Sequence, residues 1–363
     1  MIFFPFLLEM EPYECPGEHR LEGTPKGKFA YVSLLFPNDK GELTYLPGAI
    51  LLAWMLRKFG TKFDICLLVT PDVKEEDINI LKLVFDKILE INYVDVKKES
   101  RFDQDLIRKF PAYRKTYTKV NLFLLTEYKK ILYIDIDYIP LRNLDSLFNL
   151  RTPAAVYYGR RKTSLPHMIE NNWQPRKKGD PYEWQQKFCD CCGHGRKIPA
   201  SYTKMGCNNM RDKEYVGMST EFMLLEPSKD SYKRLLKFFY SRKNRKKFRT
   251  DTSLFTCYFS GKWTGVDPRF VGLFGYPHPR LLWGISYGHH KPWDVSLETA
   301  KEWLDWAHMS LWMFLFLEMM TEVTGPIHDR LSSLSGTFMD ILEKYKEKAT
   351  VKDMFELRKK FFL

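Results

Sequence analysis

The chain has 363 residues, 44% of them hydrophobic and 15% aromatic. That excludes general disorder and leaves room for one large α/β domain or two smaller ones. Its 57 Lys and Arg against 45 Asp and Glu give a formal charge of +12, which favours anionic partners such as nucleotides, phosphorylated ligands, nucleic acid or an acidic membrane face.

The seven cysteines, at 15, 66, 189, 191, 192, 207 and 257, are odd in number and crowd one stretch. That is not the even framework of a disulfide-stapled secreted domain. The opening MIFFPFLLEM has an apolar run of about eight residues and no basic flank, short of a secretory signal. The most apolar later stretch, Leu311 to Met320, carries Glu318 and falls below the ~20 residues that span a bilayer. The expectation is a soluble, cytoplasmic protein without a transmembrane segment.

Residues 1–27, rich in Pro, Gly and Glu, read as an irregular leader. From Lys28 the pattern sharpens. Buried strands are predicted at 29–36 and 63–70, with a helix over 48–60 ended by Gly60 between them. A helix over 75–85 and a strand over 87–94 follow, then a helix over 116–128 leading into KILYIDIDYIPL at 130–141. Strands alternating with helices at this spacing predict βαβ units and a mostly parallel sheet.

Residues 159–216 break the rhythm and read as a Cys-containing insertion. Regular pattern returns with a strand at 221–227, helices over 230–240 and from Asp251, and the segment GISYGHHKPW at 284–293. The tail, 296–363, reads as a helical extension broken near Gly325-Pro326. No internal repeat or low-complexity tract appears.

The apolar run Ile131–Ile134 ends in Asp135-Ile136-Asp137. In an extended strand residues i and i+2 share a side, so both carboxylates are predicted to emerge together at the carboxyl edge of the sheet, where open α/β sheets bind ligands. A hard divalent cation, Mn²⁺ or Mg²⁺, would relieve their repulsion. The same short motif also fits two aspartates that merely cap the following turn.

With its surroundings the motif becomes specific. YIDIDYIPLRNLDSLF (133–148), Tyr45 with Gly48-Ala49 after Asn38-Asp39, Thr118-Lys119 ahead of Leu125–Tyr128, Glu226-Pro227-Ser228, and Gly288 with Lys291-Pro292-Trp293 stand in one order over about 29–295. In this the chain resembles the glycogenin-like retaining glycosyltransferases. The resemblance implies a GT-A fold, a Rossmann-like nucleotide-diphospho-sugar domain over 28–295. It also implies transfer of a hexosyl or pentosyl group from a UDP-sugar to a hydroxyl of a glycan or protein, with retained configuration.

Carried onto this chain, the resemblance implies that Asp135 and Asp137 hold the metal against the diphosphate, with Ile136 between them. Lys291 and the Gly288 backbone would clamp that diphosphate from the other side. Asn38 and Tyr45 would face uracil and ribose, Lys119 the donor sugar or diphosphate, and Asp251 the sugar side of the pocket. A metal and Lys291 would stabilise the charge that develops on the departing UDP.

Two departures stand out. Where the family has a metal-binding His five or six residues before the Lys-Pro-Trp, this chain has Ser286 and Ile285; His289 or His290 is the imidazole left to take that role, and otherwise both are solvated loop residues. Where the family has Asn-x-Gly, this chain has Ser219-Thr220-Glu221, which sets Glu221 against the donor sugar or acceptor. These departures keep open a second reading, a catalytically silent nucleotide- or glycan-binding scaffold.

Cys189 and Cys192, with His194 and Cys207, match half of a structural Zn²⁺ pattern; the other reading is reduced cysteines in a loop that shapes the acceptor pocket. The run SRKNRKKFR (241–249) reads as a solvated basic helix end that steers anionic ligands, and nucleic-acid binding is not expected. The Trp-, Phe- and Met-rich segment 297–320 reads as a helix packed on its own sheet or on a second subunit in a homodimer, rather than on a membrane surface.

Overall fold

The computed structural model describes residues 25–94, 115–158, 194–200, 203, 217–241, 244, 248, 250–273, 282–288, 291–294 and 307–334. The main sheet has seven strands in the order β3-β2-β1-β4-β7-β6-β8. They are β1 (Phe29–Leu35), β2 (Asp64–Val69), β3 (Lys87–Glu90), β4 (Lys130–Ile134), β6 (Ala154–Tyr158), β7 (Gly217–Leu225) and β8 (Thr264–Val266). β1 is parallel to β2 and to β4, β2 to β3, and β6 to β8. Among the described strands only β7 runs against its neighbours β4 and β6, so the sheet is mixed but mostly parallel, as the alternating pattern predicts. Every residue of β1 is buried. A central parallel strand is covered on both faces, which is why FAYVSLL reads as one apolar run.

Helix α1 (Leu46–Lys58) begins with Pro47 in its first turn and buries ten of its thirteen residues. An apolar surface nearly all round requires cover on more than one side. The second cover is α5 (Ala307–Glu322), preceded in the chain by α2 (Glu75–Leu81), α3 (Lys229–Tyr240) and α4 (Asp251–Tyr258), and followed by α6 (Pro326–Ser333). Trp54 Nε1 of α1 donates to Glu322 Oε2 at 3.0 Å, and Lys58 Nζ lies 2.7 Å from Glu318 Oε1. The described part of the Met- and Trp-rich tail segment thus packs on a helix of its own chain. Met309, Leu311, Trp312, Met313, Leu315, Phe316 and Met319 are all buried.

A second, three-stranded sheet in the order β5-β10-β9 joins β5 (Tyr138–Pro140) to β10 (Gly284–Ser286) antiparallel and β10 to β9 (Gly272–Leu273) parallel. A Cβ on Gly284 would fall 1.7 Å from the Tyr138 hydroxyl oxygen. Only glycine lets the two strands close there, and the Tyr138 hydroxyl instead donates to the Phe270 carbonyl at 2.7 Å. Because β4 belongs to the large sheet and β5 to the small one, the chain crosses from one to the other at residues 135–137.

Several boundaries differ from the periodicity. The segment predicted as a helix over 116–128 is a 3-10 helix at Thr116–Leu124. Three residues per turn suit a buried connector in which Tyr117 through Phe123 are all buried. The helix predicted over 75–85 ends at Leu81, and the strand predicted over 87–94 ends at Glu90.

The leader to residue 24 and most of the insertion, Cys189, Cys192 and Cys207 included, lie outside the described residues, as do the basic side chains of 241–249. Of the expected zinc ligands His194 alone is described: it is buried, stacks on Phe270 with ring centroids 5.4 Å apart, and accepts the Asp267 N–H on Nδ1 at 3.3 Å. Cys257 in α4 is disulfide-bonded, a link that the cysteine spacing did not predict.

Candidate functional site

The crossing between the sheets creates the site. β4 stops at Ile134, and the Asp135 N–H donates to the Glu221 carbonyl at 2.8 Å. The chain then turns, with the Tyr138 N–H on the Asp135 carbonyl at 3.2 Å. Asp135 and Asp137 are therefore not i and i+2 of one extended strand, as the periodicity predicts. Asp135 opens a tight turn and Asp137 lies within it, and each carboxylate meets its own lysine.

Lys119 Nζ, from the 3-10 helix, lies 3.0 Å from Asp135 Oδ1 and 3.1 Å from Asp251 Oδ2, and donates to the Thr220 carbonyl at 3.2 Å. Its residue is only 6% exposed. Burial alone would lower its pKa, but the two carboxylates outweigh it and hold the ammonium charged well above its usual range. The Tyr133 hydroxyl also donates to Asp135. Desolvation nevertheless pushes the Asp135 carboxyl up to about 6, with Lys119 pulling it down and Asp137 adding repulsion.

Asp251 opens α4. Thr250 caps that helix, its hydroxyl accepting the Ser253 N–H while Ser253 Oγ accepts the Thr250 N–H, and a carboxylate in a first helical turn is favoured by the helix dipole. Asp251 is buried and accepts from the Thr220 hydroxyl at 3.0 Å.

On the other side of the turn, Lys291 Nζ is ion-paired with Asp137 Oδ2 and donates to the carbonyls of Tyr287 at 2.8 Å and Gly288 at 2.9 Å. The small sheet delivers it: Ser286 pairs with Tyr138, and the Tyr287 N–H donates to the Asp137 carbonyl at 2.7 Å. Burial, which by itself lowers the Lys291 pKa, is outweighed by Asp137, so the pKa is raised.

Tyr45, half-buried, lies under Lys291 with its ring 5.7 Å from the ammonium. Burial pushes its hydroxyl up to about 12 against the pull of Lys291. Trp293 packs edge-on against Tyr45 at 5.3 Å and occupies the space beside Gly48, where a Cβ would meet Trp293 Cη2 at 2.6 Å and the Ile136 carbonyl at 2.9 Å. The glycine of one motif is thus matched to the tryptophan of another.

Asn38 spends its side chain on its own turn, accepting the N–H groups of Lys40 at 2.9 Å and Glu42 at 3.0 Å and donating to Glu42 Oε2 at 2.9 Å. The expected metal ligand His289 lies outside the described residues. Sequence reasoning missed Tyr133, although it stands two residues before Asp135, near the end of β4. It also missed Ser286, whose hydroxyl donates to Glu221 Oε2 at 2.5 Å.

The donor set fits a divalent cation. Asp137 Oδ1 is buried without a hydrogen-bond partner among the described residues, an arrangement that is costly unless a further group satisfies it. Among the described residues no three His, Cys, Asp or Glu side chains are grouped to hold a metal. Two carboxylates suffice where substrate phosphates and water supply the remaining oxygens, as is usual for Mg²⁺.

The sequence model of Glycosyl transferase family 8 matches residues 40–280. An uncharacterized protein of Acanthamoeba polyphaga mimivirus is 28% identical over 306 residues, covering 79% of this chain and 93% of that protein. Glycogenin of Neurospora crassa is 34% identical over 126 residues, covering 34% of this chain and 17% of that protein, so this chain spans about a sixth of that relative's length. A galactosyltransferase solved with donor and acceptor sugar analogs is 15% identical, with a TM-score of 0.46 over 80% of this chain and 95% of that one. No described helix is long and apolar enough to cross a membrane. The chain belongs to glycosyl transferase family 8, the glycogenin-like glycosyltransferases.

Proposed function

We propose that the protein transfers a sugar from a UDP-sugar to a hydroxyl of a glycan or protein, with retained configuration and dependence on a divalent cation. The observation that carries this reading is the meeting of Lys291 with Asp137, beside a buried Asp137 oxygen that has no hydrogen-bond partner among the described residues.

Asp135 and Asp137 would hold Mn²⁺ or Mg²⁺, which supplies positive charge to the diphosphate when bound. Lys291 serves the same end from the opposite wall. Its ammonium, kept charged by its surroundings, moves from Asp137 to the diphosphate and neutralises charge as the sugar–phosphate bond breaks. Tyr45 and Trp293 form the apolar wall on the nucleoside side and exclude water there, with the Asn38 turn at its rim.

Lys119 ties Asp135 to Asp251, so the metal-side and sugar-side carboxylates keep one fixed geometry. The ring carbon becomes cation-like as UDP departs, and Asp251 and Glu221 would be the carboxylates that stabilise it. The departing phosphate oxygen takes the acceptor's proton, which removes the need for a strongly basic side chain.

The test is UDP release from a panel of UDP-sugars with Mn²⁺, with and without chelator, for wild type and Asp137→Ala. Release that is lost in chelator and in the variant supports the reading. UDP binding without release across the whole panel, acceptors included, contradicts it and favours a silent scaffold.

A further inference from the structure

We propose that Lys291 keeps the cation site closed until a diphosphate arrives, so that cation and nucleotide are bound as one unit; this rests on the UDP-sugar reading above. Each carboxylate of the Asp-x-Asp turn already holds an internal ammonium. Asp135 is engaged through both oxygens: Oδ1 accepts from the Tyr133 hydroxyl and lies 3.0 Å from Lys119 Nζ, and Oδ2 accepts from Lys119 at 3.1 Å. Asp137 Oδ2 is taken by Lys291, which leaves Oδ1 buried without a hydrogen-bond partner among the described residues. On that oxygen a divalent cation would stand across one carboxylate from an ammonium. Like charges so close repel strongly where burial limits the screening.

The two lysines differ in what holds them. Lys119 is bound by three separate elements: the turn at Asp135, the first turn of α4 at Asp251, and β7 at the Thr220 carbonyl. It cannot follow a new partner without leaving all three. Lys291 donates to the carbonyls of Tyr287 and Gly288, which belong to its own segment. Beyond that segment its hydrogen bond is to Asp137. Lys291 is therefore the ammonium free to change partners.

Neither ligand is well matched by itself. Lys291 repels a free cation, and the carboxylates of Asp135, Asp137 and Asp251 repel a free diphosphate. When both are present, Lys291 passes from Asp137 to the diphosphate and Asp137 passes to the cation, so that every charge keeps an opposite neighbour. Affinity gained only when two ligands meet is a coupling free energy, and it acts equally on both.

The experiment titrates the full chain with Mn²⁺, with and without saturating UDP, by paramagnetic resonance, and with UDP, with and without Mn²⁺, by calorimetry. Affinities are corrected for the Mn²⁺–UDP complex formed in solution. The set is repeated for Lys291→Gln and Lys291→Arg, with thermal unfolding as the control for folding. In wild type, UDP is expected to tighten Mn²⁺ binding at least about tenfold, and Mn²⁺ to tighten UDP binding by the same factor. Lys291→Gln raises the affinity for Mn²⁺ alone and shrinks that factor, whereas Lys291→Arg, which keeps the charge, leaves Mn²⁺ alone weakly bound. A lysine that merely grips the diphosphate would weaken UDP equally with and without Mn²⁺ and leave the factor unmoved.

The proposal is overturned if wild type binds Mn²⁺ as tightly alone as with UDP. It is also overturned if Lys291→Gln leaves the factor unchanged, or if Lys291→Arg raises the affinity for Mn²⁺ alone as much as Lys291→Gln does. The wild-type comparison decides alone where a variant does not fold. Failure of UDP to bind under any of these conditions removes the donor reading and this proposal with it. Tight Mn²⁺ binding without UDP, together with Mn²⁺-dependent UDP release from UDP-sugars, keeps the donor reading and removes the closed site only.

Discussion

Lys291 and Asp137 stand 154 positions apart in the chain, yet their side chains form an ion pair at the seam between the two sheets. Three backbone relationships bring them together: the turn after β4, the antiparallel pairing of β5 with β10, and the Tyr287 N–H on the Asp137 carbonyl. Lys291 thereby sits on the carboxylate that, on the proposed reading, a divalent cation would also occupy, so the two cations would compete.

Replacing Lys291 with Met should separate the two binding events. Without nucleotide, the affinity for Mn²⁺ is expected to rise, because a competing positive charge has left Asp137. Affinity for UDP in the presence of Mn²⁺ is expected to fall, and turnover to drop by about 10²–10³-fold, the usual cost of losing one group that stabilises developing charge. Paramagnetic resonance of Mn²⁺ and calorimetry with UDP measure both. A fall in Mn²⁺ affinity would show that Lys291 supports the cation rather than competing with it.

Gly48→Ala tests the fit between α1 and the Lys291 segment. The new methyl would overlap Trp293 and press on the Ile136 carbonyl, so Trp293 and the lysine two residues before it must shift. The expected cost is about 1–3 kcal/mol of stability from overpacking, with weaker UDP binding than that loss alone explains. Chemical denaturation and UDP titration read the two effects separately. Unchanged UDP affinity would mean that Trp293 does not position Lys291.

The Asp135 carboxyl, raised to about 6 in the folded protein, should be visible in the pH dependence of stability without metal. Its unfolded value is near 3.9. Between these values the folded form still holds a proton that the unfolded chain has released, so this group lowers stability as pH rises from about 4 to 6 and adds no further slope above that. Asp135→Asn should remove that component. The difference in unfolding free energy between wild type and variant, followed from pH 4 to 8, is expected to change below about 6 and to level off above it. A constant difference throughout would place the carboxyl in the ordinary range.

Helix α5 lies beyond the segment matched by the family and still touches the site. Trp312 packs on Trp293 at 5.5 Å and on Phe316 at 5.0 Å, and the Tyr287 hydroxyl donates to the His308 carbonyl at 2.6 Å. Trp312→Ala is expected to cost about 3–5 kcal/mol and to raise the KM for the donor more than it lowers kcat, because Trp293 and Tyr287 bracket Lys291. A stability loss with unchanged KM would make α5 a cover for α1 and nothing more.

What could be read in advance divides along physical lines. β1, β2 and β4 were legible because strands buried on both faces are apolar without alternation, and α3 because its apolar spacing and the Ser228 cap agree. The Asp-x-Asp carboxylates and Lys291 were legible as motifs. Their geometry was not, since a turn and an extended strand share the same residues until the partners in β7 and β10 are known.

The 3-10 form of Thr116–Leu124 was hidden because it answers to burial rather than to spacing. The Glu221–Ser286 bond was hidden because its halves look like two unrelated departures, 65 positions apart, until the strands bring them together. The packing of α5 on α1 follows from an apolar excess on both helices that does not by itself name the partner.

The most direct measurement is the affinity for UDP with Mn²⁺ and with chelator, in wild type and in Asp137→Asn. The expected result is UDP binding that Mn²⁺ strengthens by at least about tenfold in wild type, with that gain abolished in the variant. UDP bound equally well in chelator, or an Mn²⁺ gain that survives Asp137→Asn, would contradict a cation held between these carboxylates and the diphosphate.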